Sequence, residues 1–145
     1  MNYWLAKTEP EEYSYADLVK KGVDRWNGVR NPVAQKHIKT MKPGDQVFIY
    51  HTGKEKAIAG VAEVVSEPYP EAEEPRFATV DLKPRYSLNR KVSLKEIKSN
   101  PVFQEWELVR MSRLSVMPVT QNHWDLILEL SGNRSCVVCT TFGRL

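Results

Sequence analysis

Two β-forming runs, residues 46–50 and 57–65, stand either side of the polar hexapeptide His51-Thr52-Gly53-Lys54-Glu55-Lys56. The pattern reads as an antiparallel hairpin with a polar tip. The second run carries Ala57, Ala59, Gly60 and Ala62, small residues that leave room for something bulky to pack close.

The rest of the chain sets further strands and short helices around this hairpin. Residues 2–6 put Tyr3 and Leu5 on one side and Trp4 and Ala6 on the other, a strand apolar on both faces. Ser14 with Asp17 three residues on opens a short helix that Gly22 stops, and Asn31-Pro32 opens another that ends at Pro43-Gly44. Residues 66–76, with three prolines and a cluster of acids, read as an exposed acidic connector. Strand patterning follows over 77–82 and 86–92, then again over 114–119 with an interruption at Pro118. Ser93 to Glu96 is a capping box, Asn100-Pro101 repeats the cap-plus-proline entry, and Thr120 caps a helix carrying Trp124, Ile127 and Leu128. Strands mixed with short helices, without regular strand-helix-strand crossovers, predict a mixed α/β (α+β) fold: a mixed sheet or small open barrel flanked by helices, not a doubly wound sheet.

A length of 145 residues supports one core, and 41% apolar with 27% charged residues excludes a disordered chain on composition. No run of about 18 apolar residues is present, and the start lacks the layout of an export signal. A soluble cytoplasmic protein without a membrane partner is expected. Cys136 and Cys139 are the only cysteines, and their place near the end suits a reducing compartment better than a stapling disulfide. The formal charge is +3, but Glu63, Glu67, Glu71, Glu73 and Glu74 crowd into twelve residues, and without them the remainder carries +8. That excess permits a phosphate-facing surface.

Catalytic patterns are thin. Enzymatic chemistry by polar side chains needs a nucleophile, a base and a group to orient the base, and His37, His51 and His123 have no serine or cysteine in such a setting. Cys136 and Cys139 supply two ligands where structural zinc takes four, and no phosphate-cradling glycine loop occurs. The expectation is a protein that is not an enzyme and uses no cofactor or metal.

Aromatic, amide and cationic side chains gather instead where loops meet element ends. Trp26-Asn27-Gly28-Val29-Arg30-Asn31 combines a flat apolar face, two amides and a guanidinium directly before a helix N-terminus. A nucleobase needs both a stacking surface and partners for its edge. Read alone, the same segment also fits a core tryptophan beside a capping asparagine. In Arg110-Met111-Ser112-Arg113, the arginines suit phosphate and the serine a base edge, with a surface ion pair to the acidic connector as the plainer alternative. Lys7, Thr8 and Glu9 form a third polar cluster after the first strand.

In order and spelling these segments resemble the EVE domain family. The resemblance runs through Tyr3-Trp4-Leu5-Ala6-Lys7-Thr8-Glu9-Pro10, Trp26-Asn27-Gly28-Val29-Arg30-Asn31-Pro32, Met41-Lys42-Pro43-Gly44-Asp45, Phe48-Ile49-Tyr50-His51-Thr52, Gly60-Val61-Ala62 and Arg113-Leu114-Ser115-Val116 with Pro118-Val119. It covers about residues 1–132 and leaves 133–145 as a tail of unassigned role. It implies a PUA-like open β-barrel flanked by short helices, and a non-catalytic reader of DNA or RNA bearing modified cytosine or N6-methyladenine. Carried over by residue, it implies Trp26 as the pocket tryptophan, with Arg30 and Asn31 as its polar pair. Lys7 and Thr8 match the end of the first strand, Tyr50, His51 and Thr52 the bordering strand end, and Ser112 with Arg110 and Arg113 the region opposite. Asn27 stands where the family often has Asp. Two other functions suit the same lining: a nucleoside-like small-molecule site, and an accessory module of a nucleic-acid modification or restriction system.

Overall fold

The computed structural model describes residues 1–133; Cys136 and Cys139 lie outside the described residues. Among the described residues eight strands and five α-helices follow one another as β1 (Tyr3–Thr8), α1 (Tyr15–Lys21), β2 (Asp24–Arg25), α2 (Pro32–Thr40), β3 (Gln46–His51), β4 (Ala57–Val64), β5 (Tyr69–Pro70), β6 (Ala78–Thr79), β7 (Asp81–Ser93), α3 (Leu94–Lys98), α4 (Glu107–Arg110), β8 (Val116–Val119) and α5 (Gln121–Leu130). Six strands make one curled half-barrel sheet in the order β2-β7-β4-β3-β1-β8, and β5 pairs with β6. β1 runs parallel to β3, and the other neighbours are antiparallel. The expected mixed α/β half-barrel with short helices is the fold observed.

Both faces of β1 are covered, as its side-chain pattern requires. On one face Trp124 of α5 lies between Tyr3 and Phe48, with ring centroids 4.4 and 3.8 Å away and near-parallel planes. On the other, Trp4 packs toward His37 of α2 and donates its indole N–H to buried Asp45 at 3.0 Å. Asp45 also accepts the backbone N–H groups of Asn2 and Lys42, so one carboxylate ties the chain start to the α2–β3 turn.

The small residues of β4 have their bulky partner. Tyr15 of α1 lies flat against Gly60, and its hydroxyl donates to the Val61 carbonyl at 2.8 Å. The hairpin, the helix caps at Ser14 and Asn31, and the helix opened by Thr120 are as expected. Three expectations change. Strand β8 carries no interruption at Pro118, which sits opposite Trp4 on the edge strand of the sheet where a missing N–H is tolerated, while β7 continues through Pro84 beside a shift in register. Asn100-Pro101 opens a single 3₁₀ turn, Pro101–Phe103, rather than an α-helix. Ser93 caps α3, but Glu96 does not close the box because its carboxylate binds Arg90. Among the described residues no helix is long and apolar enough to cross a membrane.

Candidate functional site

A concavity of about 400 Å³ opens where the end of β1, the segment after β2 and the approach to β8 converge. Lys7 and Thr8 form one wall, Tyr13 and Asp24 another, and Trp26 and Asn27 a third. The volume lies within the range of ligand pockets, about 300–1,000 Å³.

Trp26 is 8% exposed, so most of its indole is anchored in the core and only part faces the cavity. Tyr13 meets it edge-on at 6.1 Å and 77°, an orientation favoured by the ring quadrupoles. The Tyr13 hydroxyl donates to Asp24 Oδ2 at 2.7 Å, and the Arg25 N–H donates to Asp24 Oδ1 at 2.8 Å. Burial, reinforced by that carboxylate, pushes the Tyr13 phenol well above its ordinary range, so it remains a donor at all working pH values. A carboxylate has about four acceptor sites, which leaves Asp24 able to receive an amino group from a ligand. Lys7 donates from Nζ to the Ser112 carbonyl at 2.9 Å and lies 5.7 Å from the Tyr50 ring centre; burial lowers its ammonium pKa. Thr8 donates its hydroxyl to the Tyr13 carbonyl at 2.6 Å.

The residues singled out in the sequence divide into three groups. Lys7, Thr8 and Trp26 meet at the cavity. Arg30 and Asn31 are not among its walls. Asn31 accepts the N–H groups of Val33 and Ala34 with its side-chain oxygen and so caps α2. Arg30 turns to the acidic connector, pairing with Glu71 through both terminal guanidinium nitrogens at 2.8 and 3.0 Å and stacking 4.3 Å over Phe77. Glu71 is only 3% exposed, so the connector is not uniformly solvated as expected. Arg30 holds the Glu71 carboxyl below the ordinary carboxylate range, and the Gly28 N–H adds to the effect. Buried Gln35 completes the loop's fastening, donating to the carbonyls of Val29 and Ala78 and accepting the Ala78 N–H. These residues build the loop that presents Trp26.

The third group sits apart from the cavity. His51 accepts the Tyr15 N–H on Nε2, so its ring proton sits on Nδ1, where Glu55 receives it. His51 faces an apolar groove with Tyr15, Ala59 and Leu88. Tyr50 is buried and Thr52 donates its N–H to the Thr8 carbonyl at 2.9 Å, so both support the strand end from behind. Ser112 contributes its carbonyl to Lys7. Arg110 is an exposed cation 3.6 Å from Glu105, and Arg113 is exposed without an ion-pair partner among the described residues.

Sequence reasoning missed Tyr13, Asp24, Arg25 and Ser115 as walls. The adjacency of Asp24 and Arg25 to Trp26 was the available signal; Tyr13 and Ser115 arrive through strand order alone. Among the described residues no group of three or more His, Cys, Asp or Glu side chains is placed to hold a metal ion.

Comparison with known proteins gives this geometry its context. The EVE domain profile matches residues 2–130. Thymocyte nuclear protein 1 of Mus musculus is 30% identical over an alignment covering 89% of this chain and 73% of the relative. A Rhodopseudomonas palustris protein solved by NMR superposes with a TM-score of 0.89 at 37% identity, covering 94% of this chain and 97% of its own. Human THYN1, crystallised with DNA containing 5-methylcytosine, superposes at a TM-score of 0.84 and 29% identity, covering 90% and 98%. At 12% identity and a TM-score of 0.57, an ASCH protein of Zymomonas mobilis shares the fold, covering 89% of this chain and 95% of its own. The chain belongs to the EVE domain family.

Proposed function

We propose that this chain is a non-catalytic nucleic-acid binder that receives an extruded, modified base, a 5-methylcytosine derivative or N6-methyladenine, in the Trp26 cavity. The observation that carries the reading is the meeting, in one open cavity, of an indole surface with a carboxylate acceptor and cationic and hydroxyl donors. The DNA with 5-methylcytosine bound to human THYN1 supports it from the family side. Asp24 suits the exocyclic amino group of cytosine or adenine, which is a donor. Lys7 and Asn27 suit the ring nitrogen and carbonyl acceptors. No bond in the ligand is made or broken in this scheme.

Fluorescence anisotropy with modified and plain oligonucleotides, single and double stranded, tests it. Stacking on an aromatic side chain is worth about 1–3 kcal/mol per base. Because Trp26 is also core, Trp26→Phe keeps an aromatic body while Asp24→Asn removes the acceptor charge without loss of volume. Both are expected to reduce the preference for the modified base; Asp24→Asn should leave the melting temperature near wild type, while Trp26→Phe, which shrinks a buried side chain, should lower it modestly. Unpaired sites should bind better than duplex, since extrusion costs a few kcal/mol. Undiminished preference in both variants would refute the cavity as the reading site. Free nucleosides binding as tightly as oligonucleotides would transfer the site to a small-molecule ligand.

A further inference from the structure

The turn between β3 and β4 and the start of α3 enclose a second concavity, a groove of about 600 Å³ walled by Lys54, Lys56, Lys95 and Lys98 with Ser93 and Ser99 between them. All four lysines are exposed, and among the described residues none has an ion-pair partner. This contrasts with Arg30, Arg76, Arg85, Arg90 and Arg110, each of which pairs with a glutamate. Glu55, itself part of the groove wall, is engaged by His51 and by Lys91, whose charge balances it, and Glu96 beside the groove is engaged by Arg90. The groove therefore keeps an uncompensated charge of four cations.

Its walls are fixed by backbone. Leu94 donates its N–H to the Lys56 carbonyl at 2.8 Å, and Ala57 pairs with Ser93. Lys56 has φ 45°, the one positive φ outside glycine among the described residues, so the turn is held in a conformation that lysine adopts at a cost. Clustered like charges repel, and an anionic partner relieves that repulsion. A single phosphate group carries at most two charges and would leave half of the cluster uncompensated. Four separate cations match a polyanion.

The groove is also next to the cavity. Thr8 lines the cavity, and its carbonyl accepts the Thr52 N–H at 2.9 Å. Lys54 follows two residues later, so its Cα is within about 7 Å of that of Thr52. We infer that the lysine groove takes the sugar-phosphate backbone flanking the base held at Trp26, the strand running from Thr8 over the turn to α3. This rests on the nucleic-acid reading above. The lysines carry affinity without sequence information, and the cavity carries the choice of base.

The test uses the full chain with Lys54, Lys56, Lys95 and Lys98 all replaced by Gln, positions where exposure makes misfolding a small risk. Single-stranded oligonucleotides containing one 5-methylcytosine are titrated by anisotropy over a salt series. One is short, covering the base and its immediate neighbours; the other extends well past it. The wild type is expected to bind the long strand more tightly, and the variant to lose that gain. The slope of log K against log salt should fall by up to about 3, at roughly 0.7 per single-strand phosphate contact. Binding of the short strand should hold. An unchanged slope and unchanged long-strand affinity overturn the groove, even if Trp26→Phe still abolishes base preference. The converse result, a variant that loses long-strand binding in a protein that never distinguished modified from plain bases, upholds the groove and refutes the cavity reading. A wild type that binds neither strand overturns both.

Discussion

Arg30 grips Glu71 with both terminal guanidinium nitrogens across 41 residues of sequence, and the same carboxylate accepts the Gly28 N–H at 3.2 Å. The loop presenting Trp26 is thereby fastened to the acidic connector from behind. Glu71→Ala removes the acceptor of the Gly28 N–H and of the half-exposed Arg30 guanidinium, and because water can reach both donors the loss is expected to be on the order of 1 kcal/mol. We expect a lower melting temperature together with weaker oligonucleotide binding, although Glu71 does not itself line the cavity and reaches it only through Gly28. Melting curves and anisotropy on the same variant check this; full binding at reduced stability would show that Trp26 holds its place without the pair.

The same pair sets an acid limit. Arg30 depresses the folded-state pKa of Glu71 below the ordinary value of about 4.3. Its stabilisation is therefore complete above that unfolded value and is lost as pH falls through the lower, folded value. The melting-temperature gap between wild type and Glu71→Gln should be constant from neutral pH to about pH 5, then close on further acidification. A gap that widens in acid would contradict the assignment.

Asn31 separates the two meanings of the shared motif. As an α2 cap accepting from Val33 and Ala34, its replacement by Ala should cost about 1 kcal/mol, and Asn31→Asp or Asn31→Ser should restore it. Base preference should survive all three. Loss of preference in Asn31→Ala at unchanged stability would return the residue to the base edge.

Gly60→Ala probes how α1 seats on the sheet. A Cβ there would lie 2.5–2.7 Å from three ring atoms of Tyr15. The ring is buried and its hydroxyl is tied to Val61, so it cannot simply swing aside. Overpacking of this kind costs about 1–3 kcal/mol. Gly60→Ala should unfold at markedly lower denaturant, and pairing it with Tyr15→Leu should recover part of the loss.

What was legible in the sequence was what is local. Ser14, Asn31 and Thr120 announced their helices because a cap is made within three residues, and the hairpin lay open in the contrast between its apolar runs and polar tip. Even the bulky partner of Gly60 was foreseeable as a need, though not as Tyr15. The directions of Arg30 and Glu71 were not legible, because a charged residue in an acidic, proline-rich stretch looks solvated until a distant arginine is brought over it. Pro118 misled in the same way: it interrupts a strand by local rules, yet β8 passes through it opposite Trp4 at the edge of the sheet. Trp26, Lys7 and Thr8 came through as cavity walls, while Tyr13 and Asp24 depended on how the sheet curls.

Strand β1 lies between β3 and β8, with Ala6 opposite Val116 and the Lys7 N–H donating to the Ser115 carbonyl at 2.8 Å. Among the described residues, the first strand in the chain is therefore paired on its second edge by the last. Lys7 and Ser115 are both cavity walls, so the cavity is complete only when the segment entering β8 lies beside β1, and loosening that one pairing would open it from the side.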